Sequence, residues 1–401
     1  MKKNFLFLIL VLIFSFNVNA QSDKLSTSKD QEGYIFEKIV DVPVTSVKNQ
    51  YRSSTCWGFS ALALMEAELL RETGKEYDLS EGHLVYYTYL AKAKRYLRFH
   101  GDVNYGPGGA AHDLLWYMEN YGLMPEEAYS GLVPPDTLFI HGELYAVTKG
   151  YLDALLKTPD SKLSDNWLVA YTAILNSYMQ EPPTTFTYEG VNYNPKSFLE
   201  STKLNVDDYV CISSFTHHPY YTEFVLELPD NWLHRTVYNV TVDELAEIAD
   251  YALENGYTVN WGTDVSSKGF SWKNGVAILP DRVVESTSGS DAERWTKDEK
   301  KNTPKDLYSF DGNVIEKEVD AKMRQKDFDN WTTTDDHGML LCGIYKDQRG
   351  NKFYKVKNSW GSVGKYDGYL FTSVPFYKMN TTSIMVNKNG IPKHIRKKLG
   401  L

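Results

Sequence analysis

The apolar residues that follow Cys56 recur every three or four positions, which is the spacing of one buried face of an α-helix. Leu62, Met65 and Leu69 carry this spacing, and Gly74 is a typical helix stop. The pattern therefore predicts a helix from Cys56 to just before Gly74. The same spacing predicts further helices within three other segments, at residues 111–123, 163–179 and 241–256.

Apolar runs rich in β-branched and aromatic residues predict strands in the second half of the chain. These runs cover residues 257–265, 338–345, 352–360 and 368–374. The turn-forming segment 347–350 joins two of the runs and predicts a hairpin. If the turn is centred between Gln348 and Arg349, His337 and Asn358 become diagonal neighbours on one face of the sheet.

The first twenty residues have the layout of a secretory signal peptide. Lys2 and Lys3 precede the apolar stretch Phe5–Phe16, and the small residue Ala20 follows. This stretch is 12 residues long, whereas a bilayer span needs roughly 20. We therefore expect cleavage after Ala20 and export of the mature chain, to a periplasm or to the medium.

The rest of the chain divides by composition. A polar lead-in, expected to be disordered, covers residues 21–33. Residues 34–150 contain the Cys56 segment, residues 151–330 are mixed, and residues 331–385 are rich in predicted strands. The stretch 285–306 is dominated by Ser, Thr, Asp, Glu and Lys, which predicts a surface loop or a flexible excursion.

The acidic balance argues against nucleic acid and anionic membranes as partners. The chain has 43 basic and 52 acidic residues, and removing the leader with its two lysines changes the net charge from −9 to −11 (41 − 52). No later stretch is long and apolar enough to span a membrane.

The three cysteines, Cys56, Cys211 and Cys342, are too few for a disulfide scaffold in an exported chain of this length. Cys56 follows the good N-cap residues 53–55 and so falls in the first turn of a helix. There the helix dipole favours a thiolate, whose pKa can fall from ~8.5 to ~3.5–7.5. The alternative is a buried cysteine that packs as a small hydrophobe.

The predicted hairpin offers a base for such a nucleophile. An amide such as that of Asn358 can accept the N–H of an imidazole such as His337, which leaves the other ring nitrogen to take a proton from a thiol. If the hairpin were the only signal, a surface hairpin whose His and Asn have no catalytic role would explain the pattern equally well.

Taken together, these residues indicate a protein family more specifically than the hairpin does alone. Gln50, Cys56-Trp57, His337 and the Asn-Ser-Trp-Gly segment at 358–361 resemble the papain-like cysteine peptidases. The resemblance implies an α+β fold with two lobes, one helical and one rich in strands.

The resemblance also implies roles for individual residues. Cys56 would be the nucleophile, His337 the acid and base, Asn358 its orienting partner, and Gln50 an oxyanion-hole donor together with the Cys56 N–H. Trp360 would shield the His–Asn contact from water. The substrate-binding positions that the resemblance implies are Gly108, Gly109 and Trp360.

His337 lies 281 residues after Cys56 (337 − 56), against roughly 130–150 in papain and the cathepsins. The longer middle resembles the bleomycin hydrolase and aminopeptidase C branch. This resemblance predicts a peptidase domain at 34–392 with a large insertion at about 151–330. The basic tail at 393–401 differs from the C-terminal arm with which this branch occupies its own cleft.

The resemblance implies hydrolysis of peptides through an acyl-enzyme, with an aminopeptidase ranked first. The alternatives are an endopeptidase of the same fold and an exported binding protein without catalysis. It implies no cofactor, and it allows a homo-oligomer. His217-His218 could suggest a metal site, but no cysteine or acidic ligand pattern accompanies them in the sequence, so we expect a structural role and no metal.

Overall fold

The computed structural model describes residues 24–25, 33–158, 162–281, 310–312 and 314–401. The predicted leader at 1–20 and the predicted surface segment at 285–306 lie outside the described residues. Within the lead-in that was expected to be disordered, Lys24–Leu25 forms a short strand that pairs with Phe36 and Glu37.

Ten α-helices occur in the described ranges, and the four predicted helices are among them. They are α1 Cys56–Thr73, α2 Glu81–Arg98, α3 His112–Tyr121, α4 Gly142–Leu156, α5 Asn166–Met179, α6 Pro195–Thr202, α7 Val242–Glu254, α8 Ala321–Asp329, α9 Val374–Asn380 and α10 Lys393–Leu399. Gly74 ends α1 with a φ of 69°, a left-handed conformation that glycine adopts without strain. None of the helices in the described part of the chain is both long and apolar enough to cross a bilayer.

Fourteen strands occur in the same ranges, and they include the four predicted strands. They are β1 Lys24–Leu25, β2 Phe36–Asp41, β3 Phe186–Tyr188, β4 Val191–Tyr193, β5 Tyr209–Ser213, β6 Glu223–Val225, β7 Thr236–Asn239, β8 Val259–Thr263, β9 Phe270–Ser271, β10 Val276–Ala277, β11 His337–Lys346, β12 Lys352–Lys357, β13 Tyr369–Ser373 and β14 Thr381–Asn387.

Twelve of these strands form one sheet, in the order β6-β7-β5-β14-β8-β11-β12-β13-β10-β9, with β2 added to β11 and β1 added to β2. β11 is long enough for two neighbours on one side. Its first half pairs with β8 and its second half with β2. The remaining strands, β3 and β4, form a separate hairpin.

The sheet separates two hydrophobic cores, because alternate residues of a strand point to opposite faces. On one face, Trp261 and Ile384 pack in a core with residues of α7 and α10. On the other face, Leu340 and Met385 pack in a core with residues of α1. Helix α1, which begins at Cys56, and helix α7 therefore lie on opposite sides of the sheet.

A third core, formed by residues of α2, α4 and α5 such as Tyr89, Leu144 and Tyr171, builds a helical lobe. The α+β class with a helical and a strand-rich lobe is thus confirmed. The segment predicted as an insertion, 151–330, contributes to both lobes. It supplies α5 to the helical lobe and also β8, which lies between β14 and β11 in the middle of the sheet.

The predicted basic tail, 393–401, is ordered as α10 and its following residues. Ile395 and Leu399 are buried in the core on the α7 face, and Lys398 Nζ lies 2.6 Å from Glu244 Oε1 of α7. The tail therefore lies across the sheet from α1 and Cys56.

Candidate active site

Cys56 is the first residue of α1, and its side chain lines a cleft. One wall of the cleft consists of Cys56, Trp57 and residues 109–112, and the opposite wall consists of residues from β8, β11 and β14. His337, the first residue of β11, belongs to this second wall. The cleft therefore brings together two groups that lie 281 residues apart (337 − 56) in the chain.

The electrostatic setting of Cys56 differs from the prediction. The pKa of the Cys56 thiol is raised to about 11, mainly by burial and in smaller part by the nearby carboxyl groups of Asp335 and Asp230. The N–H groups of Gly338 and Trp57 act in the opposite direction. The expected lowering of the pKa by the helix start is wrong, because removal of the sulfur from water outweighs the helix terminus.

His337 is held by the amide predicted to orient it. Its Nε2 lies 2.7 Å from Asn358 Oδ1, and the N–H of Ser359 donates to the same oxygen at 2.8 Å, which marks that atom as the acceptor. In the neutral ring Nε2 therefore carries the hydrogen, and Nδ1 keeps the lone pair. Burial lowers the pKa of His337 to about 4, so the imidazole is neutral near pH 7 and can accept a proton.

The register of the hairpin that places His337 depends on a β-bulge. Leu340 pairs with Lys357, as predicted, but beyond Cys342 the pairing is shifted by one residue, which centres the turn on Arg349. Cys342 is the extra residue of the bulge. The bulge cancels the error in the predicted turn position, so the predicted contact of His337 with its amide partner is present.

The indole of Trp360 covers the imidazole. The ring centroids of Trp360 and His337 are 4.8 Å apart at an interplanar angle of 30°, and Trp272 packs edge-on against Trp360 at 5.1 Å. Trp360 is not among the residues that line the cleft. Its predicted shielding position is present, while its predicted contact with substrate stays a prediction.

Gln50 is buried against the same segment. Its backbone N–H donates to Ser359 O at 2.8 Å, and the Ser359 hydroxyl donates to Gln50 Oε1 at 2.6 Å. Because Oε1 is occupied as an acceptor, the Nε2 amino group is the end of the amide that can donate to another oxygen. This orientation suits an oxyanion-hole donor.

The two glycines of the predicted substrate strand are required by close packing. A β-carbon at Gly109, which lines the cleft, would collide with the Trp57 ring. A β-carbon at Gly108 would collide with the carboxylate of Asp230. Both positions therefore need glycine for steric reasons, whatever their contact with substrate.

Side chains from two helices fix the loop that carries these glycines. The buried Lys92 of α2 donates to the carbonyl oxygens of Gly106, at 2.8 Å, and Gly108. Trp57 of α1 donates from Nε1 to Pro107 O at 3.0 Å. The loop is thereby attached to the helix that begins at Cys56.

Two family models match the chain on the two sides of this cleft. One, described as "Papain family cysteine protease", matches residues 37–137, and the other, described as "Peptidase C1-like family", matches residues 287–400. The first match contains Cys56 and the second contains His337 and Asn358. The chain belongs to the papain-like cysteine peptidases.

Relatives of this peptidase align over most of its length. "Cysteine proteinase 1, mitochondrial" from Saccharomyces cerevisiae (strain JAY291) is 22% identical over 92% of this chain and 80% of its own. "Aminopeptidase C" from Streptococcus thermophilus is 23% identical over 90% of this chain and 84% of its own. The crystal structure of PepW from Lactobacillus rhamnosis HN001 shares the fold, with a TM-score of 0.69 at 20% identity over 90% of this chain and 84% of that chain. The predicted bleomycin hydrolase and aminopeptidase C branch is confirmed.

The peptidase cleft also contains polar residues that the sequence did not single out. Asp230, Asp335 and Asn260 all line it. Asp335 accepts a hydrogen bond from Thr382 at 3.0 Å, and burial raises the pKa of its carboxyl to about 7. Asp335 lies two residues before His337, and this position could have singled it out in the sequence. Asp230 lies 107 residues upstream of His337 (337 − 230), and only the fold brings it to the cleft.

One group of side chains elsewhere in the described residues has metal-ligand geometry. It consists of His217, His218 and Glu227. The sequence showed no acidic ligand beside the two histidines, because Glu227 follows them at a distance of ten residues from His217 (227 − 217).

Proposed function

We propose that this papain-like peptidase cleaves peptides from their N-terminal end, as a cysteine aminopeptidase. The observation that carries the catalytic part is the shared cleft of Cys56 and His337, in which the His337–Asn358 contact fixes the proton on Nε2 and leaves Nδ1 as the base. Four groups suited to acyl transfer thus come from two distant parts of the chain, Gln50 and Cys56 from one and His337 and Asn358 from the other.

The reaction follows from these positions. His337 Nδ1 takes the proton of Cys56, and the sulfur attacks the substrate carbonyl carbon. The resulting oxyanion accepts hydrogen bonds from Gln50 Nε2 and the Cys56 N–H. His337 returns the proton to the leaving amine, which leaves a thioester. A water that gives its proton to His337 then hydrolyses the thioester and frees the thiol.

Two observations support the assignment as an aminopeptidase, namely the names of the relatives and the carboxyl groups in the cleft. Aminopeptidases C from Streptococcus thermophilus and Listeria monocytogenes are among the relatives of this chain. A substrate with a free α-amine presents an ammonium group close to the scissile bond. Asp230 and Asp335, both beside Cys56 in the cleft, offer the negative charge that would attract such a group.

The resemblance to the bleomycin hydrolase and aminopeptidase C branch implies that a C-terminal carboxylate in the cleft attracts the substrate ammonium. Here Leu401 packs beside the core on the α7 face, on the other side of the sheet from Cys56. The cleft carboxyls, Asp230 and Asp335, therefore take this role in our proposal.

Paired substrates test the proposal. We expect a fluorogenic amino acid amide with a free α-amine to be cleaved at least about tenfold faster than its acetylated form. Asp335→Asn should reduce this preference, and Asp243→Asn, a surface carboxyl paired with Lys378, should leave it unchanged. Because the pKa of Asp335 is about 7, the preference should grow as the pH rises from 6 to 7.5 and Asp335 gains its charge.

Two results would change the proposal. Equal cleavage of both substrates by the unaltered protein would make an endopeptidase the better assignment. An unchanged preference in Asp335→Asn would place the amine-binding group elsewhere.

We also propose that the mature protein is exported, since the N-terminal twenty residues have the arrangement of a cleavable leader. No metal and no cofactor enters the proposed reaction.

A further inference from the structure

The two histidines that were expected to be structural converge on one carboxylate. His217 and His218 follow strand β5, and Glu227 follows strand β6. His217 Nε2 lies 2.9 Å from Glu227 Oε2, and His218 Nε2 lies 3.3 Å from Glu227 Oε1. One ligand atom from each residue lies within 4.8 Å of the others. The acidic ligand that the sequence did not show is therefore supplied by the fold.

The hydrogen-bond partner of His217 determines which of its ring nitrogens is free to bind a metal ion. Its Nδ1 lies 3.2 Å from Gln325 Oε1 of α8. This amide cannot be reversed, because Gln325 Nε2 donates to Asp329 at 2.7 Å while Oε1 accepts the N–H of Thr216 at 2.6 Å. His217 Nδ1 must therefore carry a hydrogen, and in a neutral ring Nε2 holds a lone pair.

That lone pair faces a carboxylate oxygen. Two acceptors at 2.9 Å repel each other unless a positive charge lies between or beside them. A second proton on His217 would meet this need, and so would a metal ion bound by His217 Nε2 and Glu227. The second histidine, His218, directs its Nε2 at the same carboxylate and so offers such an ion a third ligand.

The spacing suits a small divalent transition-metal ion. Zinc binds His nitrogen at about 2.0–2.1 Å and carboxylate oxygen at about 2.0–2.2 Å in a tetrahedron, which separates its ligand atoms by about 3.3 Å. The contact of His218 with Glu227, at 3.3 Å, equals this value, and the contact of His217 with Glu227, at 2.9 Å, is shorter. Gln325 would act as the outer hydrogen-bond partner that fixes the tautomer of a metal-bound His217.

We propose that His217, His218 and Glu227 bind a divalent transition-metal ion, with zinc the best match to two imidazoles and one carboxylate. All three side chains reach solvent, so a water completes the tetrahedron. Glu227 lies between Leu226 and Leu228, which line the peptidase cleft, so the ion would bind to a segment that contributes to the cleft.

Zinc can also bind a thiol with an imidazole, so the test uses Cys56→Ala, which removes the nucleophile. We expect untagged Cys56→Ala protein to bind one equivalent of Zn²⁺ in isothermal titration calorimetry and to unfold at a higher temperature with Zn²⁺ present. Adding His218→Ala, or Glu227→Gln, should weaken binding at least tenfold and abolish the thermal shift, while Gln325→Leu should weaken binding by about tenfold.

His394→Ala in the same background is the matched control. His394 Nε2 lies 3.5 Å from Glu247 Oε1, a single exposed histidine beside a carboxylate, and its removal should leave zinc binding unchanged. Circular dichroism without metal checks that each variant is folded. Equal Zn²⁺ affinity with and without His218, or no binding at all by Cys56→Ala, would overturn the proposal.

Discussion

The imidazole of His337 is oriented by a chain of contacts that begins outside the cleft. Ser359 donates its N–H to Asn358 Oδ1, this oxygen accepts the His337 Nε2 hydrogen, and Trp360 covers the ring. Each contact restricts the next, so His337 Nδ1 faces the cleft as a base without further adjustment. Positioning and proton transfer therefore belong to different residues.

This division of roles predicts unequal losses of activity. His337→Ala removes the base and should lower kcat/KM by about 100- to 10,000-fold. Asn358→Ala leaves the base but frees its ring, so the loss should be smaller and activity should stay measurable. Steady-state kinetics with a fluorogenic peptide gives both values, and Asn255→Ala, a surface amide on the α7 C-terminus, is the control. A rate in His337→Ala equal to that of the unaltered protein would contradict the assignment.

For single residues, the sequence predicted those features that depend on residues nearby in the chain. The helix start at Cys56 and the adjacency of His337 and Asn358 follow from residues close to them in the chain. The pKa of Cys56 could not be obtained in this way, because burial and the carboxyl group of Asp230 depend on segments far away in the sequence. The bulge at Cys342 was equally invisible, since one extra residue in a continuous apolar run leaves no mark on the pattern.

Among the elements, α8 shows how a helix without an apolar face can be fixed in place. Arg324 is its fully buried side chain, with 1% of its surface exposed. The guanidinium donates to the carbonyl oxygens of Ser214 at 2.6 Å, Lys378 at 2.9 Å, Met379 at 3.2 Å and Thr381. Helix α8 is thus joined to the end of β5, to α9 and to β14. Hydrophobic spacing could not predict such a helix, because its main anchor is a charge.

Replacing this anchor should cost stability. Arg324→Met keeps the length of the side chain but leaves buried carbonyl oxygens without donors, so we expect the free energy of unfolding to fall by about 3 kcal/mol or more. Lys322→Met, an exposed change on the same helix, should alter it by less than about 0.5 kcal/mol. Urea unfolding followed by tryptophan fluorescence measures both. Similar urea midpoints for the two variants would show that the carbonyl oxygens find other donors.

For the whole molecule, the sequence predicted the two lobes and the α+β class, but not the order of the strands. The segment at 151–330 was expected to be an insertion, yet it supplies β5, β7 and β8 to the main sheet. Strand order depends on long-range pairing, such as that of β8 with β11 and β14, and a hydrophobic pattern specifies which face a strand buries rather than which strand lies beside it.

The proposed export makes a prediction about the complete chain. Protein purified from its native cells should begin at or near Gln21, because the leader would be removed after Ala20. Intact-mass measurement and N-terminal sequencing establish the first residue. A leader-deleted chain expressed in the same cells should stay inside them. Purified native protein that begins at Met1 would rule the proposal out.

The central position of β8 also bears on how the protein folds. Its neighbours β11 and β14 begin 78 and 122 residues after it (337 − 259 and 381 − 259), and Cys56 must meet a base that is synthesised 281 residues later (337 − 56). Contacts between such distant segments close large loops, which makes folding slow. A nascent chain that has not yet added β11 contains the nucleophile but no base. The peptidase consequently gains its activity only when the last sixth of its sequence, which begins at His337, has been added and folded.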